Sequence, residues 1–139
     1  MFPIHLTAVF AAAFTAFILG FLFHGPLLGK LWMKLANIHP TGNEKLSDML
    51  PNLGWNFLSN FVTAYALAVI YLFASTSPVL GGAGVKTGII CALWLWLGFL
   101  VTSSSIEVIW MGRKVQLWLF ESGCSLVVMV SMGVIIASL

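Results

Sequence analysis

Four long apolar runs fill most of this 139-residue chain, at about residues 3–24, 54–75, 84–109 and 115–138. A helix that crosses a bilayer needs about 20 consecutive, mostly apolar residues, and each run reaches that length. The first two carry no charge; the third holds Lys86 near its start and Glu107 near its end, and the fourth holds Glu121. The runs are too long and too continuous for the alternating strands of an outer-membrane barrel. Apolar residues make up 60% of the chain and charged residues 7%, too few charges to cover a soluble domain of this size. The expected fold is therefore all-α: a four-helix transmembrane bundle forming one domain over residues 1–139.

The first run is read as a retained helix. It lacks a basic leader, its apolar stretch is too long for a signal peptide, and Phe23-His24-Gly25-Pro26 is a poor cleavage site. Four spans place both termini on one side and loops one and three on the other. Those two loops carry Lys30, Lys34, Lys45, Arg113 and Lys114, against Lys86 alone on the opposite side. The positive-inside rule puts loops one and three in the cytoplasm and both termini outside. Trp32, Trp55, Trp110 and Trp118 cluster toward the same basic side, where an interfacial belt belongs. The net charge of +2 is thus a matter of topology and anionic lipid, not nucleic acid. A bacterial plasma membrane is expected, because no transit-type extension precedes the first run.

Loop one, residues 25–52, has structure of its own. Leu27, Leu28, Leu31, Trp32 and Leu35 fall on one helical face with Lys30 and Lys34 on the other, which predicts a short amphipathic helix in the interface. Thr41 and Glu44 have capping-box spacing, predicting a second short turn that Pro51 stops.

Leu19-Gly20-Phe21-Leu22 recurs as Leu97-Gly98-Phe99-Leu100, and Trp32-Met33 recurs as Trp110-Met111 at the same offset. The following spans both open with Trp-x-Phe-x-Ser, at Trp55 and at Trp118. The pattern suggests two duplicated helical hairpins; the alternative is chance recurrence in a Leu/Phe/Trp-rich chain.

Small residues at i,i+4 spacing let membrane helices approach closely. Such stripes run through Ala8, Ala12, Ala16 and Gly20; through Ala64 and Ala68; through Gly84, Gly88 and Ala92; and through Gly133 and Ala137. On three of the spans the stripe leads into polar groups at the basic end. His24, Asn56, Asn60, Glu107, Glu121 and Ser125 are the candidate ligand or proton site, with Ser103, Ser104, Ser105 and Ser122 adding hydroxyls. An acid inside a span is costly unless paired or wetted, and His24, Asn60 or Arg113 is the expected partner of Glu121. The structural alternative is that Glu107 pairs with Arg113 or Lys114 and the amides and hydroxyls only bridge helices. Lys30, Lys34, Arg113 and Lys114 are candidate contacts for lipid headgroups.

Catalytic signals are weak. The sequence contains no His-x-x-x-His, Cys-x-x-Cys, Gly-x-Ser-x-Gly or phosphate-binding loop. Cys91 and Cys124 lie inside spans, and the three histidines are too scattered for haem or zinc. No cofactor or metal is expected, and the enzyme reading is left open, leaning against.

The stretch Gly25-Pro26-Leu27-Leu28-Gly29-Lys30-Leu31-Trp32-Met33 resembles the family catalogued as domain of unknown function 1761. Trp94 to Phe99, and the Gly112-Arg113-Lys114 turn followed by Leu117-Trp118, also resemble it. The resemblance implies a small four-span fold and brings no established activity, cofactor or catalytic residue. Phe23-His24 stands where that family typically has aromatics, and Glu121 where a neutral residue is expected. Three functions are then in play. The leading expectation is a non-enzymatic protein acting by assembly, as a homo-oligomer or with other membrane subunits. The alternatives are a small transporter or channel using the polar cluster, with proton coupling at Glu121, and a lipid-binding protein.

Overall fold

The computed structural model describes residues 3–139 and is helical, with no strand among the described residues. The first span is α1 (Leu6–His24), followed by the short α2 (Gly29–Ala36). The second span is α3 (Leu46–Ser75). A 3-10 turn at Pro78–Leu80 leads to the third span, built from α4 (Val85–Leu95), a π-helical segment (Trp96–Val101) and α5 (Thr102–Met111). The fourth span is α6 (Val115–Ser138). Among the described residues these are the four helical stretches long and apolar enough to cross a membrane.

Three local features differ from the sequence expectation. Thr41 N–H does donate to Glu44 Oε1 at 3.2 Å, but this closes a turn before a helix rather than starting a short one. The helix itself begins at Leu46 and runs through Pro51 without stopping. Pro51 sits in the second turn, where its ring removes one backbone hydrogen bond close to an exposed helix end, a cost the remaining turns absorb. At 30 residues, or about 45 Å, α3 is longer than the roughly 30 Å hydrocarbon layer, so an end of it projects beyond the layer. The third difference is the π segment in span three, which no periodicity announced.

The chain turns back at Gly25-Pro26. Pro26 lacks an N–H to continue α1, and Leu27 N–H reaches back to the Leu22 carbonyl at 3.0 Å. A side chain at Gly25 would meet the Phe21 carbonyl oxygen at 2.7 Å, and one at Gly29 the His24 carbonyl oxygen at 2.9 Å. Both glycines are thus needed for α2 to fold against the end of α1. Asn37, in the left-handed conformation at φ 56°, closes α2.

α6 packs against α4 and α1, α1 against α3, α3 against α4, and α3 meets α6 across the bundle. Exchanging the two hairpins leaves this set of neighbours unchanged. The two Leu-Gly-Phe-Leu copies nonetheless differ in conformation: the first is α-helical in α1 and the second lies in the π segment. The core is made largely of alanine, with Val9, Leu67 and Met132 as its largest fully buried side chains. Small core residues let the helix backbones come close, which suits a bundle held by van der Waals contact rather than by expulsion of water. The stripes of Ala8, Ala12 and Ala16, of Ala64 and Ala68, and of Gly88, Ala92 and Gly133 are all spent inside this core.

Candidate functional site

The site begins at the turn between spans three and four. Gly112 takes the left-handed conformation at φ 67°, and Arg113 N–H then reaches the Glu107 carbonyl at 3.2 Å. This reversal is the closing motif expected of glycine just past a helix end. It carries the Arg113 side chain back over α5, where Nη1 donates to the Glu107 carboxylate. Glu121 lies about two turns into α6, and Arg113 Nη2 donates to its Oε2 at 2.5 Å. The planar fork of one guanidinium thus holds a carboxylate from each of two spans. Glu121 Oε1 makes no hydrogen bond among the described residues.

Beside this bridge lies a half-enclosed cavity of about 600 Å³, bounded mainly by α1, α3 and α6. His24, Asn56, Asn60, Glu121 and Ser125 all line it, so five of the six candidate residues come together. Glu107 does not line it and acts on it only through Arg113. The polar groups sit toward the basic end, and Ala16, Val128, Met129 and Met132 give the deeper part an apolar wall. Asn60 Nδ2 donates to Asn56 Oδ1 at 2.9 Å, a one-turn bridge along α3. His24 shares a hydrogen bond with the Gly20 carbonyl through Nδ1 at 2.9 Å.

Ser103, Ser104 and Ser122 line a separate recess of about 300 Å³ between span three and α6. That recess shares Leu100, Glu121 and Ser125 with the larger cavity, so Glu121 faces both. Ser105 lines neither and donates to the Thr102 carbonyl at 2.6 Å. Lys30, Lys34 and Lys114 are exposed and make no ion pair among the described residues. Arg113, the fourth of the headgroup candidates, is engaged by the two glutamates.

Two tryptophans belong to the site and were missed in the sequence as site residues. Trp32, brought in by the fold-back of α2, lies edge-on to His24 with ring centroids 5.1 Å apart and lines the cavity. Its indole N–H is buried without a hydrogen-bond partner among the described residues. Trp96, in the π segment, donates to the Ser122 carbonyl at 2.9 Å and to Ser125 Oγ at 3.0 Å. The Gly25-Pro26 break was the available signal for Trp32, because it sends α2 back toward α1. Nothing in the local sequence marked Trp96.

Trp96→Phe keeps the ring and removes the donor. Net hydrogen-bond contributions of about 0.6 kcal/mol are typical between membrane helices, so a loss of roughly 1 kcal/mol is expected for the two acceptors. Thermal unfolding in mild detergent should show a small drop with the fold retained. A collapse of the fold would mean that the indole does more than these two bonds.

The fold and the cavity together define a small multi-pass membrane protein with a polar-ended internal cavity. A family model described as "Protein of unknown function (DUF1761)" matches residues 7–137, and the chain belongs to that family. No curated protein and no solved structure matches it.

Proposed function

We propose that this protein binds a small amphiphilic molecule between spans one, two and four, as a carrier does on one side of its cycle. The observation that supports this most directly is the cavity itself. It gathers His24, Asn56, Asn60, Glu121 and Ser125 from three spans at one end and offers an apolar wall deeper in. Its volume of about 600 Å³ falls in the roughly 300–1,000 Å³ range of small-molecule sites. A much smaller recess of about 70 Å³, lined by His5, Tyr71 and Ile136 among others, lies at the opposite end. Buried Val9, Ala12 and Leu67 fill the bundle between them. In this reading the larger cavity opens to the cytoplasmic side, following the basic loops.

Assembly has weaker support than the sequence alone gave it. Most of the small residues in the stripes that favoured it, Gly20, Gly84 and Ala137 excepted, are buried within one chain.

Gly20 provides the test. It lines the cavity, and a side chain there meets no heavy atom within 4 Å. Gly20→Leu should therefore intrude on the cavity, its Cβ entering without meeting the backbone. Native mass spectrometry after gentle extraction should show a bound small molecule on the wild type and its loss from Gly20→Leu, with no loss of thermal stability. The same adduct on both proteins, or none on the wild type, would remove the proposal. Stoichiometric recovery of other subunits with a ligand-free chain would favour assembly instead.

A further inference from the structure

Resting on the cavity reading above, we infer that the ligand is an organic monocation: a primary or tertiary ammonium head on an apolar body. The charge inventory of the site is the first ground. Glu107, Arg113 and Glu121 together carry one negative charge in excess, and Lys114 next to them pairs with neither acid. The excess is available at the cavity wall, because Glu121 lines the cavity and its Oε1 has no hydrogen-bond partner among the described residues. Among the described residues no lysine or arginine lines the cavity, so no permanently cationic side chain faces an anionic head there. An uncompensated charge at the edge of a bilayer is costly, and a cationic ligand removes that cost.

The second ground is the wall. Phe17, Phe21, Phe23, His24 and Trp32 all border the cavity. The negative face of an aromatic ring attracts a cation, most strongly where water is displaced. A carboxylate oxygen beside several rings suits an ammonium group and disfavours a carboxylate, sulfonate or phosphate.

Arg113 then has a defined part as a positioning residue. It holds Glu121 through Oε2 and leaves Oε1 for the ligand, while Glu107 holds part of its charge in reserve. Without Glu107 the guanidinium would serve Glu121 alone, and the site would have no excess charge to offer.

The test uses the full chain in phosphatidylcholine nanodiscs with three probes of one chain length: decylammonium, decanol and decanesulfonate. Competition is read by native mass spectrometry, comparing wild type with variants so that partition into lipid cancels. The wild type should retain decylammonium in preference to the other two. Glu121→Gln should lower that preference by roughly tenfold, the effect of losing one charge-assisted contact. Glu107→Gln, outside the cavity, should lower it several-fold while decanol retention stays at the wild-type level. That second variant keeps the test decisive if Glu121→Gln folds poorly, and a structural role alone would not shift the preference between heads. Equal retention of decanol or decanesulfonate by the wild type would overturn the cationic assignment and leave cavity binding intact. Undiminished decylammonium binding in Gly20→Leu would overturn the cavity reading and this inference with it.

Discussion

Gly88→Val is expected to separate α4 from α6 and to leave little folded protein in mild detergent. The two helices cross at Gly88 and Gly133 with backbone against backbone. A Cβ at Gly88 would overlap the Gly133 carbonyl oxygen and lie 2.8 Å from Ala137 Cβ. A Cβ at Gly133 would overlap the Gly88 carbonyl oxygen and lie 3.0 Å from Ala92 Cβ. Overpacking typically costs about 1–3 kcal/mol, and the upper end or beyond applies where the obstacle is backbone that cannot rotate away. Between membrane helices there is no hydrophobic reserve to offset a lost close contact. Gly20→Ala is the control: its Cβ meets nothing within 4 Å, and alanine is the better helix former by roughly 0.5–1 kcal/mol. Size-exclusion profiles and thermal unfolding should therefore move in opposite directions for the two variants. A Gly88→Val protein that melts with the wild type would show that the crossing lies elsewhere.

The second large effect is expected at Arg113. Arg113→Gln leaves Glu107 and Glu121 facing each other with no bridge. Removing one partner from a fully buried pair costs about 3–5 kcal/mol, whereas exposed pairs contribute under about 1 kcal/mol. The three side chains here keep 27%, 44% and 30% of their surface, so an intermediate loss is expected. Arg113→Lys should recover only part of it, because a single ammonium cannot reproduce the two-armed fork. Pairing Arg113→Gln with Glu107→Gln should recover more, since it removes the repulsion at its source. Thermal unfolding of the three proteins gives the comparison, and a double variant no more stable than Arg113→Gln would show that the carboxylates do not oppose each other.

Much of the fold was legible because the bilayer forces a coarse pattern onto the sequence. Length and hydropathy are enough to mark helices such as α1 and α6, and the Leu/Lys spacing of residues 27–35 is enough to mark α2. Pro51 misled because its effect depends on where in the helix it falls. The site was legible in part for a similar reason. His24, Asn56, Asn60, Glu121 and Ser125 stand within about a turn of similar depth by residue count along their spans, and depth is readable. Rotation about the helix axis is not. Whether Glu107 faces the cavity or the loop depends on that rotation, and so does the partner of Trp96.

The rotation is set by the π segment. Gly88 and Glu107 are 19 positions apart (107 minus 88). In an unbroken α-helix, about 100° per residue would leave them about 100° apart around the axis. The wider turn over Trp96–Val101 takes in one extra residue and so withholds about one residue's rotation, again about 100°. Gly88 and Glu107 come into line on the same side of the span. Span three is therefore two helices set in phase by a six-residue coupling. One half meets α6 through glycine, and the other meets it through Arg113 and the Trp118–Ser104 hydrogen bond. The coupling lets two unlike contacts, one of shape and one of charge, be read by a single partner helix.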